Sequence, residues 1–118
     1  MKIDADKLVA LQRAFVAERA WEKFHTPKNL AAALSVEASE LLELFQWRPE
    51  ETAAAVTSDA ALMEKVREEL ADVLYYTLRL ADVLAVDLQA ASESKMRKNA
   101  EKYPADRVHG SMKKYSEY

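Results

Sequence analysis

A chain of 118 residues, half of them apolar and with a formal net charge of −3, fits a single domain with a modest core. The absence of cysteine excludes disulfides, thiolate metal sites and thiol nucleophiles, and one glycine, Gly110, cannot build a P-loop or a dinucleotide fingerprint. No apolar run reaches membrane-spanning length, and Asp4, Asp6 and Lys7 at the start do not read as a leader, so a cytoplasmic protein is expected.

With three prolines and abundant Ala, Leu, Glu and Lys, the composition favours an all-α helical bundle of about four main helices. The first helix is expected from about Asp4 to Trp21, with Leu8, Leu11, Phe15 and Val16 as its apolar stripe. Gln12 sits among these positions, either as a satisfied core amide or as a group that reads a ligand. The stretch Trp21-Glu-Lys-Phe-His-Thr-Pro-Lys-Asn29 breaks the periodicity, and Thr26-Pro27 is a helix cap followed by proline at the first helical position. A lone histidine in a loop is more often surface than site, yet Trp21, Phe24 and His25 within five positions could line a pocket for a flat ring.

The second helix should run from Pro27 to about Trp47 and stop before Pro49. Residues three apart on a helix lie about 60° from each other, so Glu37 and Glu40 share a face with Leu30, Ala33, Leu34, Leu41 and Leu44, while Glu43 points to the flank. After a weak helix or loop from Glu50 to Asp59, the third helix should extend from about Ala60 to Val86. There Glu69 and Asp72 share a face with Leu62, Val66, Val73, Tyr76 and Leu80, with Glu68 on the flank. Two such helices packed face to face gather four carboxylates, and charges in that position are too costly to stand unpaired. His25 and His109 are the only histidines, and neither follows a glutamate at the Glu-x-x-His spacing of di-iron bundles. All-oxygen ligation therefore points to magnesium, with manganese as the alternative. Trp47, at the end of the acidic helix, is placed to act as an aromatic lid, although tryptophan there is usually core or interface.

The third helix also carries Leu70, Leu74, Thr77, Leu78 and Ala81 on its other side. A helix apolar nearly all round needs cover from several directions, which implies a subunit interface, most simply a two-fold dimer. The last helix, Asp87 to Tyr103, sets Lys95, Asn99 and Lys102 in one polar stripe suited to phosphate oxygens. Residues 105–118 read as a polar tail without predicted structure, belonging to the same domain as residues 1–104. Charge is uneven: Glu37 to Asp82 holds eleven acids and four bases, Lys95 to Lys114 seven bases and two acids. That asymmetry suits a metal on one side and an anion on the other.

Taken together, Trp21 to Leu30, Glu37-Ala-Ser-Glu40 through Phe45-Gln-Trp47, Glu68-Glu-Leu-Ala-Asp72 and Lys95-Met-Arg-Lys-Asn-Ala-Glu-Lys-Tyr-Pro104 resemble the MazG-like all-α nucleoside triphosphate pyrophosphohydrolases, in particular their dCTP pyrophosphatase branch. The resemblance covers nearly the whole chain, including the tail from Gly110-Ser111 to Lys114-Tyr115. It implies a homodimer or homotetramer that cleaves a nucleoside triphosphate to monophosphate and pyrophosphate with magnesium, without polymeric nucleic acid or membrane as partner. It implies Glu37, Glu40, Glu69 and Asp72 as metal ligands, the Trp21 to His25 loop with Trp47 and Tyr76 around base and sugar, and Lys95, Asn99 and Lys102 at the phosphates. Gln12 stands where some relatives of that branch have histidine. Other readings are a broader house-cleaning pyrophosphatase for dUTP or modified deoxynucleotides, a metal-binding regulator without turnover, or a non-catalytic helical interaction module whose acidic pairs fix packing register.

Overall fold

Caps written into the sequence set where the helices begin. The computed structural model describes residues 1–117, the side chain of Tyr115 excepted; Tyr118, the end of the expected tail, lies outside the described residues. Asp4 accepts from the Lys7 N–H at 3.0 Å and opens α1, Ala5–Glu18. Thr26 accepts from the Asn29 N–H at 3.3 Å, with Pro27 leading α2, Pro27–Glu43. In the same way Thr52 caps α3, Ala53–Thr57, Asp59 caps α4, Ala60–Val83, and Asp87 caps α5, Leu88–Lys102. Each such cap contributes about 1 kcal/mol. All regular structure among the described residues is helical, as the composition requires.

The expected ends run long at three helices, for identifiable reasons. α1 stops at Glu18 because Ala20 turns left-handed (φ 52°), and the Trp21 N–H closes onto the Val16 carbonyl at 3.0 Å. That is a Schellman closure made with alanine instead of the usual glycine, so no glycine signals it. Ala85 is likewise left-handed (φ 53°), and α4 ends before it at Val83, three residues short of the expected Val86. At the end of α2 the chain tightens through turn bonds from Leu44 to Leu41 and from Phe45 to Leu42, leaving Trp47 beyond the helix. The expected structureless tail instead contains α6, Ala105–Val108, and a 3-10 turn at Tyr115–Glu117.

The chain divides into two compact units, Met1–Ala85 and a second beginning at Val86. Within the first, α2 lies along α4, and α1 and α3 also pack on α4. Val16, Leu30, Leu62, Val66, Leu78 and Ala81 form its buried core, while Leu11, Phe15 and Leu70 stay exposed. No helix among the described residues is long and apolar enough to cross a membrane.

Candidate active site

The α2–α4 packing turns both acidic pairs toward one another. Glu37, Glu40 and Glu69 each offer a carboxylate oxygen, and these atoms all lie within 4.8 Å of one another. Asp72, one turn further along α4, is exposed and outside that tight group, although its charge still acts on Glu37 and Glu69. Glu43 and Glu68, the flanking acids, face solvent.

The trio is electrostatically unsatisfied. Glu37 Oε2 and Glu69 Oε2 are buried without a hydrogen-bond partner among the described residues. Burial, reinforced by the neighbouring Glu40, Glu69 and Asp72, pushes the Glu37 carboxyl up to about 7. Burial also raises Glu69, with Glu40 and Asp72 adding to the effect. Acids that disfavour their own ionised form in this way lack a counter-charge. The donor set is entirely hard oxygen, the chemistry of magnesium or manganese. Opposite oxygens on magnesium stand about 4.2 Å apart, so the trio fits such an ion with small side-chain adjustments. Tyr76 lies beside this cluster, its hydroxyl pKa raised by burial and by the charges of Tyr75, Glu37, Asp72 and Glu40.

Aromatic residues flank the first unit. The loop after α1 forms a 3-10 turn, Glu22–Phe24, anchored to α2 where the Asn29 side-chain amide donates to the Phe24 carbonyl at 3.0 Å. Trp21 packs edge-on against Phe15, ring centroids 5.7 Å apart, and is 42% exposed. Phe24 is more open, and Trp47 is 89% exposed, so within one chain its ring covers nothing. Gln12 is buried and half satisfied: its side-chain N–H donates to the Tyr75 carbonyl at 3.3 Å, while its Oε1 has no partner among the described residues. Around it, Leu8, Leu11, Phe15, Ala71, Leu74, Tyr75 and Leu78 line an apolar cavity of about 310 Å³.

His25 is tied into the interior. Arg79 on α4 donates from Nε to His25 Nδ1 at 3.0 Å and from a terminal nitrogen to Asp82 at 3.1 Å; Arg13 on α1 donates to the same Asp82. Arg79, Asp82 and Arg13 belong to none of the motifs that the sequence presents. The available signal was an arginine among Leu78, Leu80 and Ala81, with an acid three residues on. Lys95 and Lys102 are exposed on α5 and Asn99 is half-buried there, all three in the second unit.

Residues 32–118 match the MazG-like family. The chain belongs to that family. Among curated proteins, dCTP pyrophosphatase 1 of Homo sapiens is 43% identical over 107 residues, 91% of this chain. The Bos taurus and Mus musculus proteins of that name are 42% identical over the same length. This chain spans 63% of the length of these relatives. A solved pyrophosphatase from Archaeoglobus fulgidus is 40% identical, with a TM-score of 0.71, covering 88% of this chain and 95% of that one. The chain thus shares its all-α fold with that archaeal pyrophosphatase.

Proposed function

We propose that this chain is a divalent-metal-dependent nucleoside triphosphate pyrophosphohydrolase that converts dCTP, or a related pyrimidine nucleotide, to the monophosphate and pyrophosphate. The observation that carries this reading is the pair of buried, partnerless oxygens Glu37 Oε2 and Glu69 Oε2 facing Glu40 across α2 and α4. The names of the similar dCTP pyrophosphatases and of the archaeal pyrophosphatase support the reaction class.

Glu37, Glu40 and Glu69 would hold a magnesium or manganese ion, with Asp72 at the open edge as a fourth ligand. Such an ion, when bound, supplies positive charge against phosphate oxygens and makes water more acidic. The chain's own groups do the rest. A carboxylate of the cluster takes the proton of the attacking water. The Trp21 to His25 loop, Gln12, Trp47 and Tyr76 hold base and sugar. Lys95, Asn99 and Lys102 hold the outer phosphates, so that pyrophosphate departs as a unit. Stacking on an aromatic side chain contributes about 1–3 kcal/mol per base.

Assembly belongs to the same reading. Leu11 and Phe15 are exposed where α1 and α4 leave their apolar cavity open, and Leu70 is exposed on α4; a second copy would cover them in a homodimer, singly or within a tetramer. Light scattering is expected to show at least a dimer; a stable monomer of 13.4 kDa at micromolar concentration contradicts it.

Hydrolysis of dCTP in oxygen-18 water with magnesium tests the reaction. Label is expected in dCMP, with unlabelled pyrophosphate released. Formation of dCDP and free phosphate rejects it, and a panel containing dUTP and modified deoxycytidine triphosphates ranks the base.

A further inference from the structure

Arg79 is 7% exposed, and burying a guanidinium is costly unless its donors are well matched. Carboxylates are its strongest partners, able to take two parallel hydrogen bonds. Here only one arm of the fork meets a carboxylate, Asp82; Nε is directed instead at an imidazole nitrogen, His25 Nδ1. A neutral ring returns less electrostatic stabilisation than a second carboxylate oxygen, so packing alone accounts poorly for this pairing.

Its chemical consequence is definite. Arginine stays protonated and has no acceptor, so Nδ1 must accept and carries no proton. In a neutral imidazole the proton then resides on Nε2, and the hydrogen bond at one nitrogen dictates what the other presents. Nε2 has no hydrogen-bond partner among the described residues, and it is not among the buried partnerless atoms. The ring is carried by a loop fixed at both ends, by the closure after α1 and by the Asn29 bond to the Phe24 carbonyl.

We propose that Arg79, held by Asp82 and Arg13, is a positioning residue that fixes His25 as a neutral ring with its proton on Nε2 and directs that N–H at a hydrogen-bond acceptor on the base of the substrate. This rests on the reading that the Trp21 to His25 loop holds the base. Partial burial and the Arg79 charge lower the His25 pKa, with Glu22 acting in the opposite sense. Asp82 sits behind the guanidinium, paired with both arginines. Protonation at Nδ1 would set an N–H against the Arg79 N–H, so the geometry and the charges agree in keeping the ring neutral.

Nitrogen-15 NMR of the full chain reads the ring without any substrate. The two histidines, His25 and His109, are told apart with His109→Gln. Wild-type His25 is expected to show an acceptor-type Nδ1 and a protonated Nε2 at about pH 8, and to take up its second proton at lower pH than Arg79→Met, which loses the arginine's charge but keeps the burial. Titration of wild-type His25 at the same pH as in Arg79→Met, or a proton on Nδ1 alone, overturns the proposal whatever the enzyme does.

Kinetics read the use of the N–H. His25→Ala and Arg79→Met are each expected to raise KM for dCTP about three- to tenfold, the loss of one hydrogen bond, and to lower kcat less. His25→Gln, which can carry an amide N–H to the Nε2 position, and Arg79→Lys, which keeps a charged donor at Nδ1, are expected to stay within about threefold of wild type. The lysine variant also serves where the methionine variant does not fold. An unchanged KM in His25→Ala, in an enzyme that turns over dCTP, overturns the proposal and leaves the reaction assignment standing. Absence of turnover together with the expected tautomer overturns the reaction assignment instead.

Discussion

The two sides of α4 handle carboxylates in opposite ways. Toward α2, Glu69 faces Glu37 and Glu40, no cationic side chain among the described residues pairs with them, and the pKa values of Glu37 and Glu69 rise. Toward α1, Asp82 is gripped by Arg13 and Arg79, and hydrogen bonding to Arg13 drives its pKa down against the effect of burial. One helix thus carries an acid satisfied by the chain and, about three and a half turns earlier, an acid left for something else. A chain able to place two arginines against Asp82 could have neutralised Glu69 in the same way, so the acidic side reads as a site and the Asp82 side as a brace.

Removing an acid from the unsatisfied side should therefore damage function without damaging the fold. Glu40→Gln is expected to lower magnesium-dependent turnover at least about a hundredfold, since even residues behind metal ligands cost 10–100-fold, while its thermal midpoint in chelator stays at or above that of wild type. Near-normal turnover would erase the distinction between the two sides.

The same change on the braced side should do the reverse. Asp82→Asn leaves Arg79 as a buried charge without its carboxylate and is expected to cost about 3 kcal/mol in urea unfolding. A loss below about 0.5 kcal/mol would place Asp82 among ordinary surface positions.

Acidification separates the two sides without mutation. Folded Glu37 holds its proton up to about 7, against an ordinary carboxyl value of 4.5, so between those values the folded chain binds the extra proton and gains stability as pH falls. Asp82, depressed from 3.8, contributes stability that is present above that value and lost as pH falls through its folded pKa. In chelator, calorimetry is expected to show the midpoint rising from pH 7.5 to about 5 and dropping below about 4. Glu37→Gln should flatten the rise and leave the drop.

The smallest effect is expected at Trp47. At 89% exposure its replacement by Ala should change stability by less than about 0.5 kcal/mol, yet raise KM more than it lowers kcat if the ring stacks on the base. An unchanged KM for every nucleotide tested would remove Trp47 from the site.

These contrasts were unevenly legible in the sequence. Helical periodicity alone put Glu37, Glu40 and Glu69 on facing apolar sides, because spacing on a helix is local geometry. Separating Asp72 from the tight trio required the packing of α2 on α4, which spacing does not specify. The helix ends at Glu18 and Val83 were overrun because alanine occupies the left-handed positions. His25 and Arg79 are 54 residues apart; a loop histidine looks like surface until the helix that supplies its partner is in place.

Magnesium titration calorimetry in two buffers of different ionisation enthalpy addresses the central claim most directly. Ligands must give up protons to bind a metal, and Glu37 still holds one near neutrality. Wild type is expected to bind magnesium with net proton release at about pH 6.5, and Glu37→Gln to bind more weakly and release fewer protons. Absence of binding by wild type, or identical binding and proton release in Glu37→Gln, would contradict the assignment of these carboxylates as the metal site.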